Sequence, residues 1–568
     1  MIAVGTRSLI ALWIVVLQTT SPSIASAGWT TDPGSSGLLV RGGGTPRAVV
    51  SDGAGGALIG FGEYFGSNTI QGMVVQRLDL HGQLPWGNSG VPVGYVGSLV
   101  GDYGPVMAPD GTGGAVVLWR GVDGVHLHGQ RVSSSGIPQW TPVAPGEGTY
   151  VASGSPWPLW VGRDGLGSFV TVWLQNATLF AQRFDGDGTL LWGPQGIDLG
   201  IPVYSRVTAP VAVGDGRGGL IVFWTAPGPL GNRDVFAQRF GANGSPMWSS
   251  AGVAICAADG DQGSASFGLA AVDDGAGGAC VAWIDQRSDA QGDVYAQRIN
   301  GSGGTQWTQD GVALCAVPGS QSNIAVVAES SGGLIAAWQD TRDASTGIDL
   351  YAQSVGGGGS VRWAEGGAIV CNAPGDQTVD NPSGTRVYAA SDGAGGLFAA
   401  WTDARPDGAP GNDIFAQHLD LMGQPTFVSQ GLRFGSTSTP LGIPAVMPDG
   451  LGGCAVLWSG SLSLRGRGSN VDGSVIGVDP MVSTAFALHC PRPNPATGPF
   501  GVEFSIAEPG AVRLEVFDVA GRRVWRGETH DPAPGAHLLQ VGALKPGLYM
   551  LRLRQGSRVA TTRAVVLR

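Results

Sequence analysis

The sequence predicts an all-β chain: an eight-bladed β-propeller closed by an N-terminal strand, with seven blades as the alternative, followed by a small immunoglobulin-like β-sandwich. Three observations predict it. An Asp-Gly-x-Gly-Gly turn recurs along the 568 residues, a Trp and an Ala-Gln-Arg tripeptide recur at fixed places after it, and each end of the array holds the part of a repeat that the other end lacks.

Composition narrows the class first. The 97 Gly show no Gly-X-Y period, which excludes collagen, and 43% hydrophobic residues with 18 Trp exclude a disordered chain. The Gly cluster between short apolar runs, the pattern of strands joined by tight turns. Eleven basic and six acidic residues give 487–568 a net charge of +5, so with −11 for the whole chain the remainder carries −16. That acidic body lacks the basic stripe nucleic acid requires, so no nucleic acid partner is expected.

Taken in order, the chain begins with a segment that reads as a secretory signal peptide, residues 1–27. Arg7 supplies the positive start, Leu9 to Leu17 the apolar core, and Ala25-Ser26-Ala27 a small-residue cleavage site between Ala27 and Gly28. The apolar run is too short to span a bilayer, and no later stretch reaches about 20 apolar residues, so no transmembrane segment is expected.

Residues 28–479 are the propeller. The turn stands at Asp52, Asp110, Asp164 (with Ser168 for the last Gly), Asp215, Asp274, Asp392 and Asp449, and a degenerate copy begins at Glu329. Asp accepts local backbone hydrogen bonds and Gly supplies positive φ, so this is hairpin chemistry. A phosphate-binding loop would be followed by a helix, and here a strand follows. The spacing of about 57 residues suits a four-stranded blade with generous loops. In each unit strand A precedes the turn and strand B follows it, ending in Trp119, Trp173, Trp224, Trp283, Trp338, Trp401 or Trp458. Strand C carries a Gln, followed by Arg as at Gln76-Arg77 and Gln297-Arg298 but not at Ala352-Gln353 and Ala416-Gln417, and strand D opens at Trp86, Trp140, Trp192, Trp248, Trp307, Trp363 or Phe427. A Trp present in every unit reads as packing between blades.

The ends of the array predict its closure. Gly28 to Val40 aligns with Trp248 to Cys256, a strand D with no A, B or C before it. Ala445 to Trp458 is an A–B hairpin followed by a weak strand C near Ser474–Val478 and no D. The orphan strand completes the last unit, and a closed ring leaves no open edge.

Cys256, Cys315 and Cys371 occupy one position in three successive units, which would hold them farther apart than a disulfide spans. They are expected to be buried thiols.

Candidate chemistry is confined to two places. Three units share a B–C loop of the form W-x-D-x-R: Asp285/Arg287, Asp340/Arg342 and Asp403/Arg405, with Asp289, Asp293, Asp343, Asp349, Asp407 and Asp413 nearby. The D–A loops on the same face add Asp259, Asp261, Asp376 and Asp380. This rim offers oxygens of the kind Ca²⁺ takes, and it offers carboxylates for orienting or hydrolysing a glycan. The alternative is that each Asp pairs with the Arg of its own loop. Because the motif repeats, no single acid–base pair stands apart as catalysis would need. The other place is His126 and His128, an H-x-H on one strand C with both rings on one face. These are two metal ligands with no third in their unit, or else a solvated strand face. There is no H-E-x-x-H and no G-x-S-x-G.

Residues 480–490 form a linker, and 491–568 alternate with period two as a small sandwich does. Within them lie Pro493-Asn494-Pro495, Phe504-Ser505-Ile506, Asp518 with Gly521-Arg522, Pro546-Gly547-Leu548-Tyr549, and a terminal Val565-Val566-Leu567-Arg568. In combination these resemble the type A C-terminal sorting domain of the bacterial type IX secretion system. The Ala-Thr-Gly after Pro495 departs from the Phe- and Asn-richer turn of that family. The repeats are similar to propeller repeats of large exported proteins in bacteria with this system. The resemblance implies the type IX secretion machinery as a partner and an address at the outer-membrane surface or outside the cell. The expectation is therefore an exported, non-catalytic binding or adhesion protein for an unknown extracellular ligand, a glycan or a protein. The alternative is a secreted carbohydrate-active enzyme, a glycoside hydrolase or lyase, using carboxylates of the B–C loop face.

Overall fold

The computed structural model describes residues 38–566 except 43–44, 66–69, 81, 97–104, 122, 143–147, 204–209, 264–267, 380–387, 406–411, 438–443, 450–451, 461–462, 470–474, 477–486, 489–499, 507–510, 530–534, 543 and 557. The expected signal peptide with Ala27 and Gly28, most of the linker, Pro493, Asn494, Pro495 and Asp407 lie outside the described residues. Among the described residues no helix is long and apolar enough to cross a membrane.

The described chain is all-β, a series of antiparallel, mostly four-stranded sheets of the propeller-blade type with further sheets at the C-terminus. The first sheet runs from Thr45–Ser51 to Val91–Val96, with consecutive strands as neighbours. The second is Val106–Pro109, Ala115–Arg120, His126–Val132 and Thr149–Ser153. The third and fourth end at Ile197–Pro202 and Val253–Cys256. The fifth is Leu269–Asp273, Ala279–Asp285, Asp293–Ile299 and Val312–Cys315, and the sixth runs from Gln321–Glu329 to Ala368–Cys371. In the seventh, Gln377–Thr378 and Ala389–Ser391 together take the first position, both paired with Leu397–Asp403. The eighth joins Ala445–Pro448, Cys454–Gly460 and Ser463–Ser469 to Leu38–Gly42 from the other end of the chain, with Leu38 opposite Gly466 and Gly42 opposite Ser463.

That last sheet differs from expectation in one strand. Its third strand is Ser463–Ser469, ahead of the Ser474–Val478 segment the sequence pointed to, and Val475–Ile476 only lengthens its edge. The Gln that marks strand C in the other seven sheets is missing from SLRGRGS, so the strand carried no label.

The turns hold for the reasons their residues suggest. At Asp274, Oδ1 accepts the N–H of Ala276 and of Gly278, each at 2.8 Å. Gly275 and Gly277 sit at φ +69° and +88°, where an L side chain is strained. Oδ2 of the same Asp pairs with Arg298 of strand C at 2.8 Å. One carboxylate thus closes the A–B hairpin and pins the C strand to it, and Asp52, Asp110, Asp164 and Asp215 pair likewise with Arg77, Arg131, Arg183 and Arg239. Where the pattern changes it changes on both sides: Glu329 pairs with Arg362, and Asp392 with His418.

Arg298 also reaches the following sheet, donating to the carbonyl of Gly357 at 3.0 Å, and Trp307 Nε1 donates to that same carbonyl at 3.0 Å. Arg131 with Trp140 on Gly186, and Arg239 with Trp248 on Gly301, repeat the arrangement. The strand B tryptophans Trp119, Trp173, Trp283, Trp338, Trp401 and Trp458 are fully buried. Apolar clusters straddle successive sheets, as where Cys280, Ile284 and Val294 meet Ile324, Leu334 and Trp338. One cluster joins the first sheet to the eighth, packing Val49, Ile59 and Phe61 against Ala445, Met447 and Leu457. Cys256, Cys280, Cys315, Cys371 and Cys454 are buried free thiols.

At the C-terminus, Ala487–Leu488, Phe500–Ile506 and Gly535–Val541 form one sheet, and Val512–Asp518, Arg523–Thr529, Gly547–Gln555 and Arg558–Val566 another. Val502, Phe504 and Val541 from the first share a core with Leu514, Val516, Leu551 and Leu553 from the second. Asp518 Oδ1 accepts the N–H of Ala520 and Arg522, with Gly521 at φ +76°, so the Asp518–Arg522 motif is a hairpin turn. Tyr549, just past Pro546 and Gly547, is buried and donates its hydroxyl to the carbonyl of Lys545 at 2.6 Å.

Candidate functional site

The W-x-D-x-R loops place Asp285, Asp340 and Asp403 at the last position of strand B, all essentially buried. Alternation puts each on the same face as the Trp two residues before it, and the indole takes the carboxylate: Trp283 Nε1 donates to Asp285 Oδ2 at 2.6 Å. Trp338 to Asp340 and Trp401 to Asp403 follow at 2.9 and 2.8 Å. The Arg two residues on folds back over the same group. Arg287 donates Nε to Asp285 Oδ1 at 2.9 Å and Nη2 to Oδ2 at 2.7 Å, and Arg405 makes the same fork on Asp403. Arg342 reaches Asp340 Oδ2 at 2.6 Å.

Each guanidinium then ties three more groups. Arg287 Nη2 donates to the carbonyl of Asp310 at the entry to its own strand D, and to Cys256 Sγ in the preceding sheet at 2.9 Å. It lies 4.0 Å from the ring centre of Tyr295, and Arg342 over Tyr351 and Arg405 over Phe415 are equivalent. Burial alone would lower the Arg287 pKa, but the Asp285 carboxylate holds it above the ordinary value. The motif therefore makes a brace between neighbouring sheets. Burial disfavours the thiolate of the cysteines it touches, pushing Cys256 and Cys371 up to about 12 and Cys315 up to about 11.

The carboxylates around the braces differ in environment. Asp289 is half-buried and accepts the N–H of Gln291 and Gly292, a local turn. Asp293, Asp349 and Asp413 stand directly across the strand pair from Asp285, Asp340 and Asp403. Asp413 is neutralised by Arg433 at 2.8 Å. Asp349 is fully buried, and burial raises its pKa to about 6, with Asp343 and Asp340 adding to the rise while Thr346 and Arg342 oppose it. A carboxyl that holds its proton more tightly when folded stabilises the chain in acid, and that contribution disappears as pH rises through about 6. Asp349→Asn, which stays neutral, should raise stability by up to about 2–3 kcal/mol near pH 7 and leave it unchanged near pH 4. Urea midpoints at the two pH values check this, and equal shifts at both would contradict it.

The second sheet departs from the frame. Its strand B ends Trp119-Arg120, and Gly121 and Asp123 stand where the other loops carry Asp and Arg. His126 Nδ1 lies 2.5 Å from Asp123 Oδ2. His128, expected on a solvated face if not a ligand, is buried and stacks on Trp119 with ring centres 6.2 Å apart. Phe180, Phe236, Tyr295 and Phe415 stack on their own strand B Trp in the same way. Hydrogen bonds from His126 and from the backbone of Val125 and His126 hold the Asp123 carboxyl below its ordinary pKa against the upward push of partial burial. Sequence spacing alone missed Asp123 as a neighbour of the H-x-H. Laying the W-x-D-x-R frame over Trp119 would have found it.

A comparison with curated protein sequences finds no match. Among solved structures the chain is similar to an endo-arabinase from Bacteroides thetaiotaomicron, at 13% identity over 50% of this chain and 94% of that one, with a TM-score of 0.23. It is similar to the fucose-specific lectin of Aleuria aurantia, at 10% identity over 66% and 98% with a TM-score of 0.33. A third is prolyl oligopeptidase B of Galerina marginata, at 8% identity over 91% and 55% with a TM-score of 0.36. Likenesses this distant carry no argument about ligand or activity. The C-terminus is different: residues 493–567 match the family of secretion system C-terminal sorting domains. With the hairpin at Asp518–Arg522 and the anchored Tyr549 in place, the chain carries a type IX sorting domain and is secreted to the cell surface or extracellular space of a bacterium.

Proposed function

We propose that this chain is a secreted β-propeller that binds an extracellular glycan or protein without turning it over. The observation that carries this reading is the fate of the loop carboxylates. Asp285, Asp340 and Asp403 are each enclosed by an indole N–H and a guanidinium, in three equivalent copies. An acid and a base for glycoside hydrolysis must face an open substrate from different environments. Braces of this kind instead hold the B–C loops, and the half-buried Asp289 among them, as a fixed rim for recognition.

In this reading residues 28–479 form one eight-bladed ring, with Leu38–Gly42 as the outer strand of its last blade. The cluster of Val49 and Phe61 with Met447 and Leu457 supports that closure. The leader 1–27 is removed between Ala27 and Gly28, 480–490 is a spacer, and 491–568 delivers the ring to the type IX machinery. Purified chain applied to glycan and surface-protein arrays should bind saturably and release no reducing sugar. Release of reducing sugar by the wild-type chain would sink the proposal in favour of an enzyme. Dependence of binding on Ca²⁺ would return Asp289 and Asp407 to the role of metal ligands.

A further inference from the structure

We propose that the second sheet carries a binding site for a divalent transition metal of the zinc class, formed by Asp123, His126 and His128. One ligand atom from each of the three side chains lies within 4.8 Å of the others. Metal bonds of about 2.0–2.1 Å in a tetrahedron hold ligand atoms about 3.3 Å apart, so the three atoms stand within about 1.5 Å of bonding separation. Two imidazoles and one carboxylate suit Zn²⁺, Co²⁺ or Ni²⁺, whereas Ca²⁺ and Mg²⁺ take oxygen ligands.

The strongest support is the equivalence of positions between repeats, with His128 paired to Trp119 as Tyr295 is to Trp283. In the fifth, sixth and seventh sheets a cation, the guanidinium of Arg287, Arg342 or Arg405, sits 3.7 to 4.0 Å from the aromatic ring of strand C. In the second sheet the positions around that cation, and its own, have changed. The aromatic residue is His128, Asp293, Asp349 and Asp413 have their counterpart in His126, and the arginine position is Asp123. The cation has been lost and three ligands stand around its place. Arg120 does not replace it, since it donates to the carbonyl of Gly124 and lies over the Trp157 ring at 4.2 Å.

Gly121, in the position of the bracing Asp, makes the room. A Cβ there would come within 2.4 Å of His128 Nε2 and 3.1 Å of Asp123 Oδ1. Tyr150 of strand D stacks on His126 at 4.4 Å between ring centres and meets His128 edge-on at 5.0 Å, which fixes both imidazoles. The side chains of His126 and Asp123 are 29% and 39% exposed, so an ion enters from solvent and keeps water in its remaining position.

The test uses the secreted chain without an affinity tag, stripped by chelator, titrated with Zn²⁺ by calorimetry and with Co²⁺ by visible absorption. One ion per chain is expected, with Co²⁺ d–d bands of a four- or five-coordinate nitrogen–oxygen site. His128→Phe places at this position the residue that the third, fourth and seventh sheets carry, and it should fold and lose the bands. Asp123→Asn, on the exposed loop, should weaken Zn²⁺ by about tenfold or more, and it guards against a folding defect in the first variant. No binding by the wild-type chain, or binding of unchanged stoichiometry and affinity in both variants, overturns the proposal.

Discussion

Replacing Asp285 with alanine should destabilise the folded chain by about 3–5 kcal/mol. The carboxylate is fully buried, and its removal strands two partners at once. Trp283 Nε1 loses its acceptor, and the Arg287 guanidinium, whose side chain is 19% exposed, keeps its charge without a counter-ion. Breaking one side of such a pair is far more damaging than removing both sides. Asp285→Leu combined with Arg287→Met should therefore recover most of the loss, because the unpaired guanidinium is gone and the Trp283 indole N–H alone is left without its acceptor. Urea midpoints of Asp285→Leu, of Arg287→Met and of the double variant give the coupling directly. If Asp285→Ala is as stable as wild type, the motif is no brace, and its carboxylate is available for a ligand.

A second large loss is expected from Gly311→Ala. Gly311 opens strand D of the fifth sheet at φ +91°, and a Cβ there would meet Cη2 of Trp283 at 2.5 Å and the carbonyl of Ala296 at 2.9 Å. The strained backbone costs about 1–2 kcal/mol and the overpacking about 1–3 kcal/mol, so about 2–5 kcal/mol is expected together. Gly252, Gly367 and Gly431 meet Trp224, Trp338 and Trp401 in the same way, so one small residue per sheet admits the large one. Gly275→Ala, in an open turn with no atom within 4 Å of its Cβ, should show only the backbone part. Equal losses at the two positions would contradict the packing argument.

What could be read from the sequence is what the repeat writes many times. Asp274 with its glycines, Trp283 and Gln297-Arg298 mark strands because turn chemistry and strand packing are local, and each recurs in other sheets. The strand Leu38–Gly42 was legible through its likeness to Val253–Cys256, although its partner lies more than four hundred residues away. The third strand of the eighth sheet was not, because Ser463–Ser469 lacks the Gln that marks strand C in the other sheets. At the candidate sites the sequence supplied the residues and left their partners open. Asp285 and Arg287 could pair with each other or face a ligand, and only the indole of Trp283 and the carbonyl of Asp310 decide how both are held. Asp123 escaped because a loop residue meets a strand residue only after the hairpin closes.

Leu38–Gly42 completes the sheet of Ser463–Ser469 from the other end of the repeat array, and closure of the proposed ring rests on that pairing. The most direct measurement introduces cysteines at Leu39 and Arg465, which stand opposite one another in that pairing, and oxidises the purified monomer. The native thiols Cys256, Cys280, Cys315, Cys371 and Cys454 are buried, and Cys490, outside the described residues, is replaced by serine for the experiment. Mass spectrometry of the digest should find the two engineered residues in one disulfide-linked pair of peptides, formed at high yield and independent of protein concentration. A monomer in which both remain free thiols, or a bond that forms only between chains, would contradict closure.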